Sequence, residues 1–381
     1  MSLTNEQSAS TPKMPTERDS DDPNEALYAL LQAQHEQHNA SKATLYAQLQ
    51  ARHEQHNAEA ARDRSAAVHK LEKLLPESIN NQSVPKDVLV IINEYIPKLN
   101  DNNIRQAIRD YLSGDENLKQ QVIEKYGSIS DWDVSQVTNM EELFFHRNFN
   151  TDISRWNVSR VTNMKFMFRA TILFNKPLND WNVSNVRNMD NMFACAYSFN
   201  QPLNNWNVSN VTCMKEMFSL AYVFNQPLNN WNVSNVRYMN KMFERAKRFD
   251  QSLNNWNISS VIHIQGMFEC AKSFNQDISG WNVSNVNNMD SMFCDARSFN
   301  QPLNDWNVSK VTNMRHMIHK ARSFNQPLND WNVSKVTNMS RMFTYADSFN
   351  QPLNNWNLTK SARRSLLFSL RKMKVSLESI K

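Results

Sequence analysis

Glycine is nearly missing from this chain, with four in 381 residues. So few cannot supply the glycine-rich loops that cradle phosphates, and turns must rely on asparagine and proline instead. Cysteine is equally scarce, also at four, with no Cys-x-x-Cys pair. That argues against a disulfide framework and against the commonest zinc sites. No apolar run approaches the ~18 residues of a membrane span. The opening MSLTNEQSASTPKMPTERDSDDPN lacks the apolar core of a signal peptide. Free thiols and an intracellular location are expected: the cytoplasm, or a host cytoplasm or virion for a viral source. No Ser-His-Asp arrangement or pair of carboxylates stands apart from the repetition described next, so neither an enzyme nor a cofactor is expected.

What the chain does have is a ruler. Its ten tryptophans are Trp132, Trp156, Trp181, Trp206, Trp231, Trp256, Trp281, Trp306, Trp331 and Trp356, one step of 24 residues and eight of 25. A period of this size marks a stacked-repeat solenoid. With each Trp as position 1, position 6 is always Val, and positions 9 and 12 are Met or a close substitute. Position 13 is nearly always Phe, position 16 mostly Ala, position 19 Phe and position 23 Leu or Ile. Sixteen of the nineteen Met and seventeen of the twenty Phe fall on this register, so the large apolar side chains set it. Positions 6, 9, 13 and 16 read as one stripe of a short helix. Positions 19, 21 and 23 alternate as in a strand, and Pro at 22 limits its length. Cys270 and Cys294 fall in adjacent units. Cys195 and Cys270 are three units apart, too far to bridge at a strand-like step of about 4.8 Å.

Asparagine recurs at positions 2, 8, 20 and 24, as in Asn332, Asn338, Asn350 and Asn354. Stacked asparagines can bond their own turn and the next coil, forming a ladder. Asn-Val-Ser at positions 2 to 4 also matches the glycan acceptor pattern, although repetition alone would place it in every unit. The run FNQPLNNWNVSNV followed by x-x-M-x-x-M-F-x-x-A resembles the BspA-type leucine-rich repeat, over Ser128 to about Thr359. The resemblance implies an α/β, leucine-rich-repeat-like solenoid of about nine 24–25-residue coils. It also implies a role in adhesion or protein interaction. The first unit departs from the pattern: 141–150 is one residue short and lacks the Ala of position 16, as expected of a modified cap.

The flanks differ from the repeats. Residues 1–24 are polar and read as a disordered tail. Residues 25–75 read as helix, with LYALLQAQHEQHNA (27–40) recurring as LYAQLQARHEQHNA (45–58). The duplicated HEQH (His35, His38, His53, His56) is not HExxH, and no metal site is assigned to it. Residues 77–127 read as a small helical region. Its segment VPKDVLVIINEYIP (84–97) resembles the opening helix of an F-box through Pro85, Asp87, Leu89, Ile92 and Ile96. That resemblance implies docking to a ubiquitin-ligase adaptor; a helical cap over the first coil is the alternative, assisted by 104–112 and 118–127. Residues 360–381 read as a basic amphipathic helix with Leu366, Leu370, Met373, Leu377 and Ile380 on one face, suited to capping the last coil or to binding an anionic membrane or partner.

Charge is graded along the chain. Residues 1–131 carry 14 Lys and Arg against 20 Asp and Glu, 132–355 carry 21 against 16, and 356–381 carry 7 against 1. Position 17 runs Ile172, Tyr197, Tyr222, Lys247, Lys272, Arg297, Arg322, Asp347, which stacking would turn into an aromatic-to-basic stripe. It reads either as a binding strip for an acidic partner or as a solvated face. The expected function is a non-enzymatic protein-interaction scaffold with a protein partner, an acidic one if the stripe is functional, and no nucleic-acid motif. An F-box-like substrate adaptor and a structural or virion-associated assembly protein are the alternatives.

Overall fold

The computed structural model describes residues 98–370, all within the second of the chain's two units, Asp87–Lys381. The segments 1–24 and 25–75, the HEQH histidines, the F-box-like stretch with Pro85, Asp87, Leu89, Ile92 and Ile96, and Met373, Leu377 and Ile380 of the expected C-terminal helix lie outside the described residues.

Between Trp132 and Trp356 the chain winds through nine coils, and the expected helix and strand of each coil are absent. Among the described residues the coils contain turns, and successive coils share one parallel bridge at position 8, from Asn139↔Asn163 to Asn313↔Asn338. The coil starting at Trp231 shows why. The Met242 N–H donates to the Met239 carbonyl at 3.2 Å and the Ala246 N–H to the Phe243 carbonyl at 3.0 Å, which closes two four-residue turns. Lys241 and Arg245 are left-handed, at φ 58° and 56°. A positive φ at the third residue is the type II requirement. The N–H groups of Met239, Lys241, Phe243 and Arg245 donate to the His263, Gln265, Met267 and Glu269 carbonyls of the next coil, at 2.9, 2.9, 2.9 and 2.6 Å. A helix needs those donors for its own i−4 carbonyls, and stacking takes them. The apolar spacing fits both structures, because two consecutive four-residue turns also point their first and last residues inward.

The left-handed state recurs at positions 11 and 15 of every coil, at seventeen non-glycine residues and at Gly266. Side chains in that region cost on the order of 1 kcal/mol each. The ladder bonds to the neighbouring coil offset that cost.

The asparagines divide by role. At position 20 the backbone N–H donates to the side-chain Oδ1 of the preceding coil's position 20, from Asn175 on Asn150 at 2.9 Å to Asn350 on Asn325 at 2.9 Å. Position 24 does likewise for the next coil's position 25, as when the Asn205 N–H donates to Asn179 Oδ1 at 3.1 Å. These bonds occupy the segment expected to be a strand. Positions 2 and 8 instead cap their own turns: Asn232 Oδ1 accepts the Ser234 N–H at 3.2 Å and Asn338 Oδ1 the Ser340 N–H at 3.0 Å. The expected ladder thus exists at two of the four positions.

The core is a set of aromatic columns. Every Trp is at most 4% exposed, and its indole N–H donates to a carbonyl 28 residues earlier in most coils, as from Trp206 to Leu178 at 2.8 Å. Side chains at equivalent positions are displaced by one local coil step, so ring spacings measure that step. Neighbouring Trp rings are 6.4 Å apart at Trp231–Trp256 and position-13 rings 5.7 Å at Phe243–Phe268, while Tyr197–Tyr222 at position 17 lie 5.0 Å apart. The coils fan open on the Trp side and close up along the hydrogen-bonded turns.

Both ends of the described stack are covered. Helix α1 (Ile104–Tyr111) buries Ile104, Ala107 and Ile108, and α2 (Glu116–Tyr126) buries Val122 and Tyr126. Tyr111 meets the Trp132 ring edge-on at 5.8 Å and Tyr126 lies 6.0 Å from it. Asn100 pairs with Gln136 in a further parallel bridge. The Asp101 carboxylate accepts the Thr138 and Asn139 N–H groups at 2.8 and 3.0 Å, donors that in later coils face the preceding coil. Burial alone would raise this carboxyl, but the bonds from Thr138 and Asn139 outweigh it and hold the pKa below the usual range. At the other end α3 (Lys360–Leu370) buries Ala362 and Leu366, and Ser365 Oγ accepts the Met339 N–H at 3.1 Å.

Candidate binding face

The surface columns of the stack are of two kinds. Ser at position 4, Asn at 2 and Asn or Asp at 20 hardly change from coil to coil, because their side chains or neighbours close turns and ladders. Positions 10, 11, 14, 15 and 17 change at almost every step. Position 15 runs His146, Ala170, Cys195, Leu220, Arg245, Cys270, Asp295, Lys320, Tyr345. The ladder binds these residues by backbone alone, so any side chain is compatible with it. Individuality is therefore concentrated on the closely spaced side of the stack. Sequence reasoning found only position 17 of this set; column-by-column comparison of the repeats would have found the rest.

Position 17 does form one line. The N–H of the following residue donates to the position-17 carbonyl one coil back, as Ser273 to Lys247 at 3.3 Å and Ser298 to Lys272 at 3.2 Å. Tyr197 and Tyr222 stack at 5.0 Å with a 7° tilt, and Lys247 Nζ lies 4.5 Å from the Tyr222 ring centre. Burial, then Lys272 and Arg245, lower the Lys247 pKa. The two arginines have internal counter-ions: Arg297 Nε is 2.8 Å from Asp295 Oδ1 and Arg322 Nε 3.8 Å from Asp347 Oδ2. The stripe is thus a stacked aromatic step leading into two lysines, followed by two neutralised arginines.

Beside it lies a carboxylate–lysine network. Lys241 Nζ is 3.3 Å from Glu244 Oε2, and burial and then Glu244 raise the Glu269 pKa. Gly266 makes room for this network: a Cβ there would sit 3.1 Å from Lys241 Cγ and 3.2 Å from Glu269 Oε2.

The four thiols are free. Burial pushes Cys270 up to about 11 and Cys213 up to about 12, and raises Cys294 further still. A thiol held protonated is a poor nucleophile and a poor metal ligand. Among the described residues no group of three His, Cys, Asp or Glu could hold a metal ion, and no helix is long and apolar enough to cross a membrane.

A second surface runs along positions 5 to 8. It carries a shallow open groove of about 550 Å³ lined by Arg187, Asn210, Thr212, Asn235, Arg237, Tyr238 and Ser260. Nothing in the sequence analysis singled it out.

No curated protein matches the chain. The sequence does match a family described as "Mycoplasma protein of unknown function, DUF285", over residues 115–227, 178–281, 203–302 and 276–378. Two of these overlapping matches begin 25 residues apart, at 178 and 203, so the family pattern slides along the chain by whole coils. Since the matches together run from 115 to 378, well over half of the 381 residues, this repeat protein belongs to the DUF285 family.

Proposed function

We propose that the protein is a non-enzymatic interaction scaffold whose partner binds the variable columns at positions 10, 11, 14, 15 and 17. One observation carries the reading: near-identical coils differ from one another mainly on one exposed side. Positions 2 and 4 are held by the turn they close, whereas positions 10, 11, 14, 15 and 17 are free to take the side chains that a partner reads. Repeat stacks present extended surfaces of this kind to protein partners. In this reading the coils are turn-built relatives of the BspA-type leucine-rich solenoid, located inside the cell. The adaptor alternative rests on Pro85, Leu89, Ile92 and Ile96, outside the described residues, and adds nothing here.

Lys247 and Lys272, without the carboxylate neighbours of Arg297 and Arg322, supply the face's attraction for an acidic partner. The test is affinity capture with the full chain and with a Lys247→Glu/Lys272→Glu variant. Thermal unfolding of both proteins serves as the fold control. The expected result is an unchanged melting temperature, within about 2 °C, with loss of a salt-sensitive acidic partner. Identical captured proteins from both forms would refute this assignment of the face.

A further inference from the structure

The groove along positions 5 to 8 has a composition unlike the rest of the surface. From Trp156 through the coil of Trp331, positions 2 to 8 contain no Asp or Glu at all, yet they hold Arg160, Arg187, Arg237, Lys310 and Lys335. Arg187 and Arg237 line the same groove on alternate coils, either side of Thr212, and both are exposed. Neither guanidinium takes part in an ion pair, in contrast to Arg297 and Arg322. The backbone between them is fixed: the Thr212 N–H donates to the Arg187 carbonyl and the Arg237 N–H to the Thr212 carbonyl, both at 2.9 Å. Two coil steps at a ladder spacing of about 4.8 Å separate the arginine Cα atoms by about 10 Å.

Between these cations the groove offers acceptors. The amide groups of Asn210 and Asn235 donate inward, to the Ser184 and Ser209 carbonyls, both at 2.7 Å. Their Oδ1 atoms are left to accept from a ligand. The Thr212 hydroxyl donates to the Arg187 carbonyl at 3.2 Å, so its oxygen can also accept. Tyr238 is 38% exposed and stacks on His263 at 5.3 Å, giving one flat apolar platform.

A complement to this pattern carries anionic groups at regular intervals, hydroxyl donors between them, and a ring face to lie on one aromatic. We propose that the groove binds an acidic polysaccharide, with carboxylate or sulfate groups on alternate sugars meeting Arg187 and Arg237. A pyranose unit is comparable in length to one coil step, so a disaccharide repeat matches two coils. A single-stranded nucleic acid would use a succession of stacking platforms, and this edge has one.

Binding of a heparin hexasaccharide to the full chain, measured by calorimetry at two salt concentrations, tests the proposal. Arg187→Gln/Arg237→Gln should weaken binding at least about tenfold and flatten its salt dependence, since two charge-assisted contacts are removed. Lys176→Gln/Arg248→Gln removes the same charge from outside both surfaces and should leave the affinity within about twofold. The exchange Thr212→Arg/Arg237→Thr keeps the charge but puts both arginines on adjacent coils, and should also weaken binding. No binding by the wild-type chain, equal loss in both double variants, or full affinity in the exchange variant would overturn the proposal. Tighter binding of a uridine oligonucleotide with the same arginine dependence would overturn it in favour of a nucleic-acid site. Because none of these variants touches Lys247 or Lys272, failure here leaves the scaffold reading to its own test.

Discussion

Replacing Asn225 by alanine isolates the asparagine ladder. Asn225 Oδ1 accepts the Asp250 backbone N–H and the Gln251 side-chain amide of the next coil, both at 3.0 Å. Truncation leaves two half-buried donors without an acceptor. An unsatisfied buried donor costs about 1–3 kcal/mol, and water can reach these in part, so about 1 kcal/mol each is expected. The bond donated by the Asn225 N–H to Asn200 Oδ1 is backbone-based and survives. The net loss should be about 2 kcal/mol. Asn232→Ala removes only the turn-capping bond to the exposed Ser234 N–H, worth about 0.5–1 kcal/mol. The protein holds its own control: Asp250 occupies the same ladder position and accepts from the Asn275 N–H and the Gln276 amide, each at 2.9 Å. Asn225→Asp should therefore cost under about 1 kcal/mol. Urea unfolding of the full chain gives the ranking, and amide exchange at Asp250 gives the local effect. The ladder argument is refuted if Asn232→Ala is as destabilising as Asn225→Ala, or if Asp250 exchange does not accelerate.

Phe243→Ala should cost about 3–5 kcal/mol, because its fully buried ring stacks between Phe218 and Phe268 and the neighbouring rings cannot close the gap. Lys247→Ala, which loses only a ring contact with Tyr222, should cost under about 1 kcal/mol in the same denaturant titration. Burial, with His316 and Lys320 adding to it, pushes His319 down to about 4, and its Nδ1 is buried without a hydrogen-bond partner. Between its folded pKa and the ordinary value near 6.5 the unfolded chain binds the extra proton, so stability falls as pH drops through that window. The full shift would be about 3 kcal/mol at 1.36 per unit. Solvent screening of this half-buried ring reduces the expected loss to about 1–2 kcal/mol. His319→Leu should flatten the melting temperature between pH 6.5 and 4, and an unchanged pH profile would show that the ring titrates freely.

The inward residues were legible because repetition displays them. Trp231, Met239, Met242, Phe243, Phe249 and Leu253, or a close apolar substitute, recur in every coil, and all are buried. Local conformation was not. The apolar spacing at 9, 12, 13 and 16 suits a helix as well as two turns, and only the neighbouring coil's carbonyls decide. Left-handed positions normally announce themselves by glycine, yet Lys241 and Arg245 occupy them without it. The counter-ions of the stripe were readable in principle: Asp295 precedes Arg297 by two residues, and Asp347 follows Arg322 by 25. The arginines of the groove were hidden because Arg187 and Arg237 interrupt a column that is mostly threonine, a difference that matters only once coils are stacked.

The two main ladders between coils join fixed positions: 9, 11, 13 and 15 to 8, 10, 12 and 14, and 20 to 20. A coil therefore recognises its neighbour by register and not by identity. An in-frame duplication or loss of 25 residues anywhere between Trp156 and Trp356 would present the same donors and acceptors at both new junctions. A change of any other length would break the turn ladder, the asparagine ladder and the Trp column together. Recombination between copies can thus lengthen or shorten the molecule in whole coils, with Asp101 and α3 still closing the two ends.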